Sequence, residues 1–112
     1  MDNVKDDRYY LKKIIENIDF VLQNTRGLSL DRIKDNQMLI DSVMFRFIQI
    51  GEAAQELSQT FKEKTSFLPW HQLNGIRNRI VHAYDIIRID IVYETITKDL
   101  EPFRNTLESY LQ

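Results

Sequence analysis

The sequence has no cysteine, three glycines and two prolines. Without cysteine the chain can form no disulfide, no thiolate zinc site and no cysteine nucleophile. The few glycines and prolines are too few for the many turns of a β-sandwich or barrel. The chain also lacks an apolar run of about 18 residues that could cross a membrane, and its polar start shows no signal-peptide pattern. We therefore expect a cytoplasmic protein that makes no use of a membrane.

The composition is that of an ordinary globular protein, with 112 residues, 43% hydrophobic and 29% charged. This length predicts a single domain over residues 1–112. A core of this size is modest, so association with a second copy would add useful buried surface. The net charge of −2 argues against a protein that coats nucleic acid, but it permits an enzyme with one local basic cleft.

Apolar residues recur at three- and four-residue steps, which is the spacing of one helix face. The pattern predicts helices over residues 6–25, 33–57 and 69–82 and from Asp90 onward, with a polar link over 61–67. Asp90 is a favoured N-cap residue, and Pro102 predicts a kink near Glu101. Gly51 indicates a close approach to a neighbouring helix. We predict an all-α fold, an up-and-down bundle of four or five helices with a kinked last helix.

The segment from Arg77 to Tyr84 is the richest in chemistry, since it also holds Asn78, Arg79 and His82. Histidine can donate or accept a proton near neutral pH, and arginine matches phosphate oxygens with a fixed cationic fork. Such a set could cleave RNA without a metal ion: the ribose 2′-hydroxyl attacks, histidine transfers protons and arginine stabilises the transition state. With two histidines at unsuitable spacing and no cysteine, we expect no metal site.

Helical spacing limits how these side chains could meet. Asn78 and His82 are four residues apart and would share a face, whereas Arg77 and His82 are five apart and would diverge by about 140°. Arg77 and His82 could reach one atom only if the helix unwinds before His82, or if two copies build one cleft. A simpler interpretation also stands, in which His82 caps a helix end, Arg79 is a surface residue and Tyr84 is a packing residue.

The pattern Arg-x4-His-x-Tyr, formed by Arg77, His82 and Tyr84 with Asn78 after the arginine, resembles the signature of HepT-type HEPN toxins. The likeness extends over nearly the whole chain and includes three further features. These are Ile50-Gly51-Glu52-Ala53-Ala54 in the second helix, Pro69-Trp70 before the third, and Asp90 at the start of the fourth.

The resemblance implies a homodimer of helical bundles that acts as a metal-independent endoribonuclease without a cofactor. Arg77 and His82 would be catalytic at the dimer interface, Asn78 would help to shape the site, and Arg79 is a candidate contact to RNA phosphate. The implied partner is an MNT-type nucleotidyltransferase antitoxin, as in type VII-like toxin–antitoxin systems. It would transfer AMP from ATP to Tyr84, and the added phosphate and base would repel and block RNA.

Two other functions fit the same residues. In the first, the bundle is a non-catalytic subunit of a minimal nucleotidyltransferase that binds substrate or nucleotide, with Arg77 and His82 holding a phosphate. In the second, the chain is an interaction domain with a structural Arg–His cluster. Growth arrest by the chain alone, relieved by His82→Ala or Arg77→Ala, would distinguish the ribonuclease from the non-catalytic subunit.

Overall fold

The structure is a computed structural model that describes residues 6–112. Residues 1–5, which belong to the polar start considered above, lie outside the described part. Helix α1 is Asp7–Thr25, and the carboxylate of Asp6 caps it by accepting a hydrogen bond from the amide of Tyr9 at 3.1 Å. Gly27 follows with a φ of 78°, a left-handed conformation that glycine adopts without steric cost. The first predicted helix is therefore confirmed.

The second predicted helix is two helices, α2 (Leu30–Lys34) and α3 (Gln37–Gln55). The prediction of one helix over 33–57 is wrong because Asn36 starts a new helix. Its side-chain oxygen accepts a hydrogen bond from the amide of Leu39 at 3.0 Å, which satisfies a donor at the start of α3.

The polar link predicted over 61–67 overlaps the short helix α4, Gln59–Lys64. Ser58 caps it, and the carboxylate of Asp7 accepts hydrogen bonds from the Ser58 amide at 2.7 Å and hydroxyl at 2.6 Å. Phe61 on α4 is buried in the core. The helix forms because local caps and one apolar anchor compensate for its mostly polar sequence.

Helix α5 is Trp70–Ala83, with Pro69 immediately before it, and a single 3-10 turn follows at Tyr84–Ile86. Helix α6 is Ile89–Glu94. Asp90 lies in the first turn of α6 and not at its N-cap, which corrects the prediction. The Asp90 carboxylate accepts hydrogen bonds from the Arg88 side chain at 2.7 and 3.0 Å, so it supports the helix start through charge.

Helix α6 passes through a wide π-helical turn at Thr95–Asp99 into α7, Leu100–Ser109. The irregularity thus lies about one turn before the kink predicted near Glu101, and Pro102 is inside α7. Proline has no N–H for the carbonyl four residues earlier, and its ring crowds that carbonyl. The distortion therefore falls on the turn before the proline.

Helix α3 packs against both α1 and α5, and α7 packs against α1. Within residues 6–112 all regular structure is helical, which confirms the all-α bundle. No helix of this part of the chain is both long and apolar enough to cross a membrane. The core is formed by apolar side chains, of which the largest fully buried ones are Ile14, Ile18, Val21, Phe47, Ile50, Leu100 and Leu107.

Candidate functional site

The backbones of α3 and α5 approach closely where Gly51 faces Arg77. A Cβ atom added to Gly51 would lie 2.7 Å from both Cβ and Cγ of Arg77. The predicted role of Gly51 in close helix contact is therefore confirmed. Because the Cβ and Cγ atoms of Arg77 pack directly against Gly51, the contact holds this end of the side chain against α3.

The guanidinium of Arg77 is held from two sides. Its Nη2 donates to Oε2 of Glu52 at 3.2 Å and its Nη1 donates to Oδ1 of Asn78 at 3.0 Å. The side chain is 21% exposed, and its buried Nε has no acceptor among the described residues. Glu52 is a site residue whose role was not predicted from the sequence. The one signal for it was its position directly after Gly51, within the segment that resembles the family.

His82 lies in the last turn of α5 and its side chain is exposed. Helix α5 continues without interruption to Ala83, so the predicted alternative of unwinding before His82 is wrong in this structure. On a continuous helix Arg77 and His82 diverge by about 140°. A single chain therefore does not direct these two side chains at one atom. Asn78 is on the same helix face as His82, and its amide contacts the Arg77 guanidinium.

Tyr84 lies just after α5, in the 3-10 turn, and is 41% exposed. Its hydroxyl donates a hydrogen bond to Oδ1 of Asp41 on α3, and the same oxygen accepts from Nε2 of Gln37 at 2.9 Å. Burial and the neighbouring Asp41 raise the pKa of the Tyr84 phenol to about 12. The hydrogen bonds from Tyr84 and Gln37 lower the pKa of Asp41. Asp41 was missed because no local pattern pairs it with Tyr84.

A largely apolar cavity of about 300 Å³ lies beside the carboxyl end of α5. Arg79 lines it, and the Arg79 side chain makes no hydrogen bond or ion pair with another residue of the range 6–112. Its other walls are Ile76, Ala83, Ile86, Ile87, Arg88, Ile91 and Val92. The described residues contain no group of three or more histidine, aspartate or glutamate side chains placed to hold a metal ion.

Fold and site together define a small all-helical protein that carries an Arg-x4-His-x-Tyr segment at the end of one helix. The chain belongs to the family described as HepT-like ribonucleases, whose sequence model matches residues 14–110.

Similar proteins include three whose names assign them provisionally to the ribonucleases. One from Caldanaerobacter subterraneus subsp. tengcongensis is 28% identical over 97% of both chains. One from Methanocaldococcus jannaschii is 25% identical over 93% of this chain and 95% of its own. One from Thermococcus cleftensis, named as a HepT ribonuclease, is 23% identical over 88% of this chain and 90% of its own. No solved structure gave a significant match.

Proposed function

We propose that this chain is the ribonuclease toxin of a toxin–antitoxin pair and cuts RNA in a cleft shared by two copies of the chain. The observation that carries the proposal is the continuous α5 helix, which directs Arg77 and His82 to different sides. An RNA phosphate that contacts both residue types therefore needs a second copy. Membership in a ribonuclease family supports the activity.

The proposed reaction needs no group beyond the side chains of the two copies. The RNA 2′-oxygen forms a bond to the adjacent phosphorus, and the bond from phosphorus to the 5′-oxygen breaks. His82 of one copy takes the 2′-hydroxyl proton and then returns a proton to the leaving 5′-oxygen. Arg77, held by Glu52 and Asn78, stabilises the charge on the phosphoryl oxygens. Arg79 is the candidate contact to a neighbouring phosphate.

Exposed apolar side chains beside the segment support association of two copies. Val81 is 46% exposed, Ile86 74% and Ile91 46%. Val81 directly precedes His82 on α5, and Ile86 and Ile91 line the cavity beside the carboxyl end of that helix. Covering them would remove apolar surface from water, which is favourable, and would bring two copies of the segment together.

Complementation between two inactive variants tests the shared cleft. Arg77→Ala and His82→Ala chains, each inactive alone, are mixed under conditions that exchange subunits, and heterodimers are counted by native mass spectrometry. We expect cleavage of a labelled RNA to return in proportion to the heterodimer. Heterodimers without recovered cleavage would refute the shared cleft. Cleavage by the wild type should also persist in EDTA, because the proposed chemistry uses no metal ion.

We further propose that Tyr84 is where a minimal nucleotidyltransferase partner adds AMP and silences the enzyme. The phenol is partly exposed and lies two residues after His82. An added AMP would place negative charge where RNA phosphate must bind. After co-expression with a nucleotidyltransferase from the same genome, intact mass should rise by one or more AMP units. The Tyr84→Phe variant should show no increase, and an equal increase would refute the assignment.

Growth assays separate the ribonuclease from a nucleotide-binding subunit. Expression of the chain alone should arrest growth, and His82→Ala should relieve the arrest. If expression of the chain does not arrest growth and the pure, unmodified protein does not cleave RNA, the chain is instead a binding subunit for the nucleotidyltransferase.

A further inference from the structure

Asp41 and Tyr84 form a contact between elements that are far apart in sequence. Asp41 is on α3, Tyr84 follows α5, and the phenol hydroxyl donates directly to Oδ1 of Asp41. Gln37, one turn earlier on α3, donates to the same oxygen at 2.9 Å and fixes its position. The phenol oxygen that would accept AMP therefore already has a carboxylate in contact with its proton.

A cavity of about 230 Å³ opens beside this pair. Its walls are Gln37, Ile40, Tyr84, Asp85, Ile87 and Ile89. Tyr84 is one of these walls and is 41% exposed, so a reactant can approach the side chain. Asp85 is the other titratable side chain in these walls, and no hydrogen bond links it to the phenol in the described structure.

We propose that Asp41 is the proton acceptor when Tyr84 attacks a nucleoside triphosphate. In this step the phenol oxygen forms a bond to the α-phosphorus, the bond to the β-phosphate oxygen breaks, and pyrophosphate leaves. The phenol proton moves to Oδ1 of Asp41, which becomes a neutral carboxylic acid. The inference rests on the proposed modification of Tyr84 and names the residue in this chain that assists it.

Chemistry favours a carboxylate partner over free ionisation of the phenol. With the Tyr84 pKa at about 12, about one phenol in 10⁵ would be ionised at neutral pH. The neutral phenol must therefore lose its proton during the attack. The lowered pKa of Asp41 keeps that carboxylate ionised at neutral pH and ready to accept the proton. An aspartate plays the same role toward substrate hydroxyls in protein kinases.

The test compares wild type with Asp41→Asn, whose amide oxygen still accepts a hydrogen bond but is a very weak base. Asp85→Asn is the matched control, because it removes a carboxylate from the same cavity without a contact to the phenol. With ATP and the purified nucleotidyltransferase, initial rates of AMP addition are followed by intact mass. We expect Asp41→Asn to be slower by roughly 10²-fold or more, and Asp85→Asn to match the wild type within about threefold.

The pH dependence distinguishes proton transfer from positioning. In Asp41→Asn the phenol must ionise first, so its rate relative to wild type should rise up to about tenfold per pH unit from 7 to 9. A direct titration by tyrosine absorbance adds a readout without the partner: ionisation of Tyr84 should move from about 12 toward its ordinary value of 10.0 in Asp41→Asn.

The outcomes separate the two proposals. If wild-type Tyr84 acquires no AMP, the proposed modification is wrong and the role of Asp41 falls with it. If wild type is modified and Asp41→Asn is modified at the same rate with the same pH dependence, the role of Asp41 alone is overturned. A slow Asp41→Asn variant whose rate relative to wild type does not change with pH would make Asp41 a positioning residue and would also overturn the proposal.

Discussion

Replacing Gly51 by alanine tests the contact between α3 and α5 that fixes Arg77. The new Cβ would meet two carbons of Arg77 at 2.7 Å, and these must retreat to at least 3.4 Å for ordinary contact. Neither carbon is at the flexible end of the side chain, so the two helices must separate. Overpacking of this kind costs about 1–3 kcal/mol, whereas replacing a helical glycine by alanine gains about 1 kcal/mol.

Gly75 on α5 provides the matched control, because a Cβ there meets nothing within 4 Å. Gly75→Ala should therefore stabilise the protein by about 1 kcal/mol. Gly51→Ala should be destabilised by roughly 0–2 kcal/mol, which leaves a difference of about 1–3 kcal/mol between the variants. Urea unfolding followed by helical circular dichroism at one fixed protein concentration measures both.

RNA cleavage by the same two variants gives a second readout. Separation of the helices should displace Arg77, so Gly51→Ala should cleave RNA more slowly than its stability loss explains, by roughly 10-fold or more. Gly75→Ala should cleave like the wild type. Equal stability of the two variants within about 0.5 kcal/mol would refute the argument from the Gly51 contact.

Two further substitutions probe other contacts of the structure. Glu52→Ala should release the Arg77 guanidinium and slow RNA cleavage roughly tenfold or more. The free energy of unfolding should change by less than about 1 kcal/mol, since the pair is partly exposed. Glu52→Gln can still accept a hydrogen bond from Arg77 and should lose less cleavage activity, so equal losses in the two variants would contradict this role of Glu52. Thr65→Val removes the hydroxyl oxygen that accepts a hydrogen bond from Nε1 of Trp70 at 3.1 Å. The free energy of unfolding, measured in urea, should fall by about 1–3 kcal/mol, and an unchanged unfolding midpoint would contradict this.

The sequence predicted helices well where their ends have local signals. Asp6 caps α1 within the first turn, and Pro69 precedes α5 by one residue, so local chemistry was sufficient. The break between α2 and α3 had a comparable signal in Asn36, but the longer apolar period on both sides concealed it. The irregularity lies at Thr95–Asp99 and not at the kink predicted near Glu101, because proline disturbs the carbonyl four residues earlier and not its own position.

The candidate site could be predicted only along one helix. Arg77, Asn78 and His82 all lie on α5, and the divergence of Arg77 from His82 followed from helical spacing alone. Glu52 and Asp41 reach the segment from α3, across a helix pair whose register depends on the Gly51 contact. Side chains that meet through tertiary packing leave no periodic pattern in the sequence. This is why the partners of Arg77 and Tyr84 required the structure.

Helix α3 supplies both partners, since Glu52 holds Arg77 and Asp41 holds Tyr84. Eleven residues separate the two carboxylates, which is close to three full helical turns, so they lie on one face about 16 Å apart. One helix, α3, therefore sets the spacing between the carboxylate that holds Arg77, proposed for cleavage, and the one that holds Tyr84, proposed for silencing. Changes in the loops leave that spacing intact. One residue inserted between them would rotate one carboxylate by about 100° relative to the other, so the two could no longer contact Arg77 and Tyr84 at the same time.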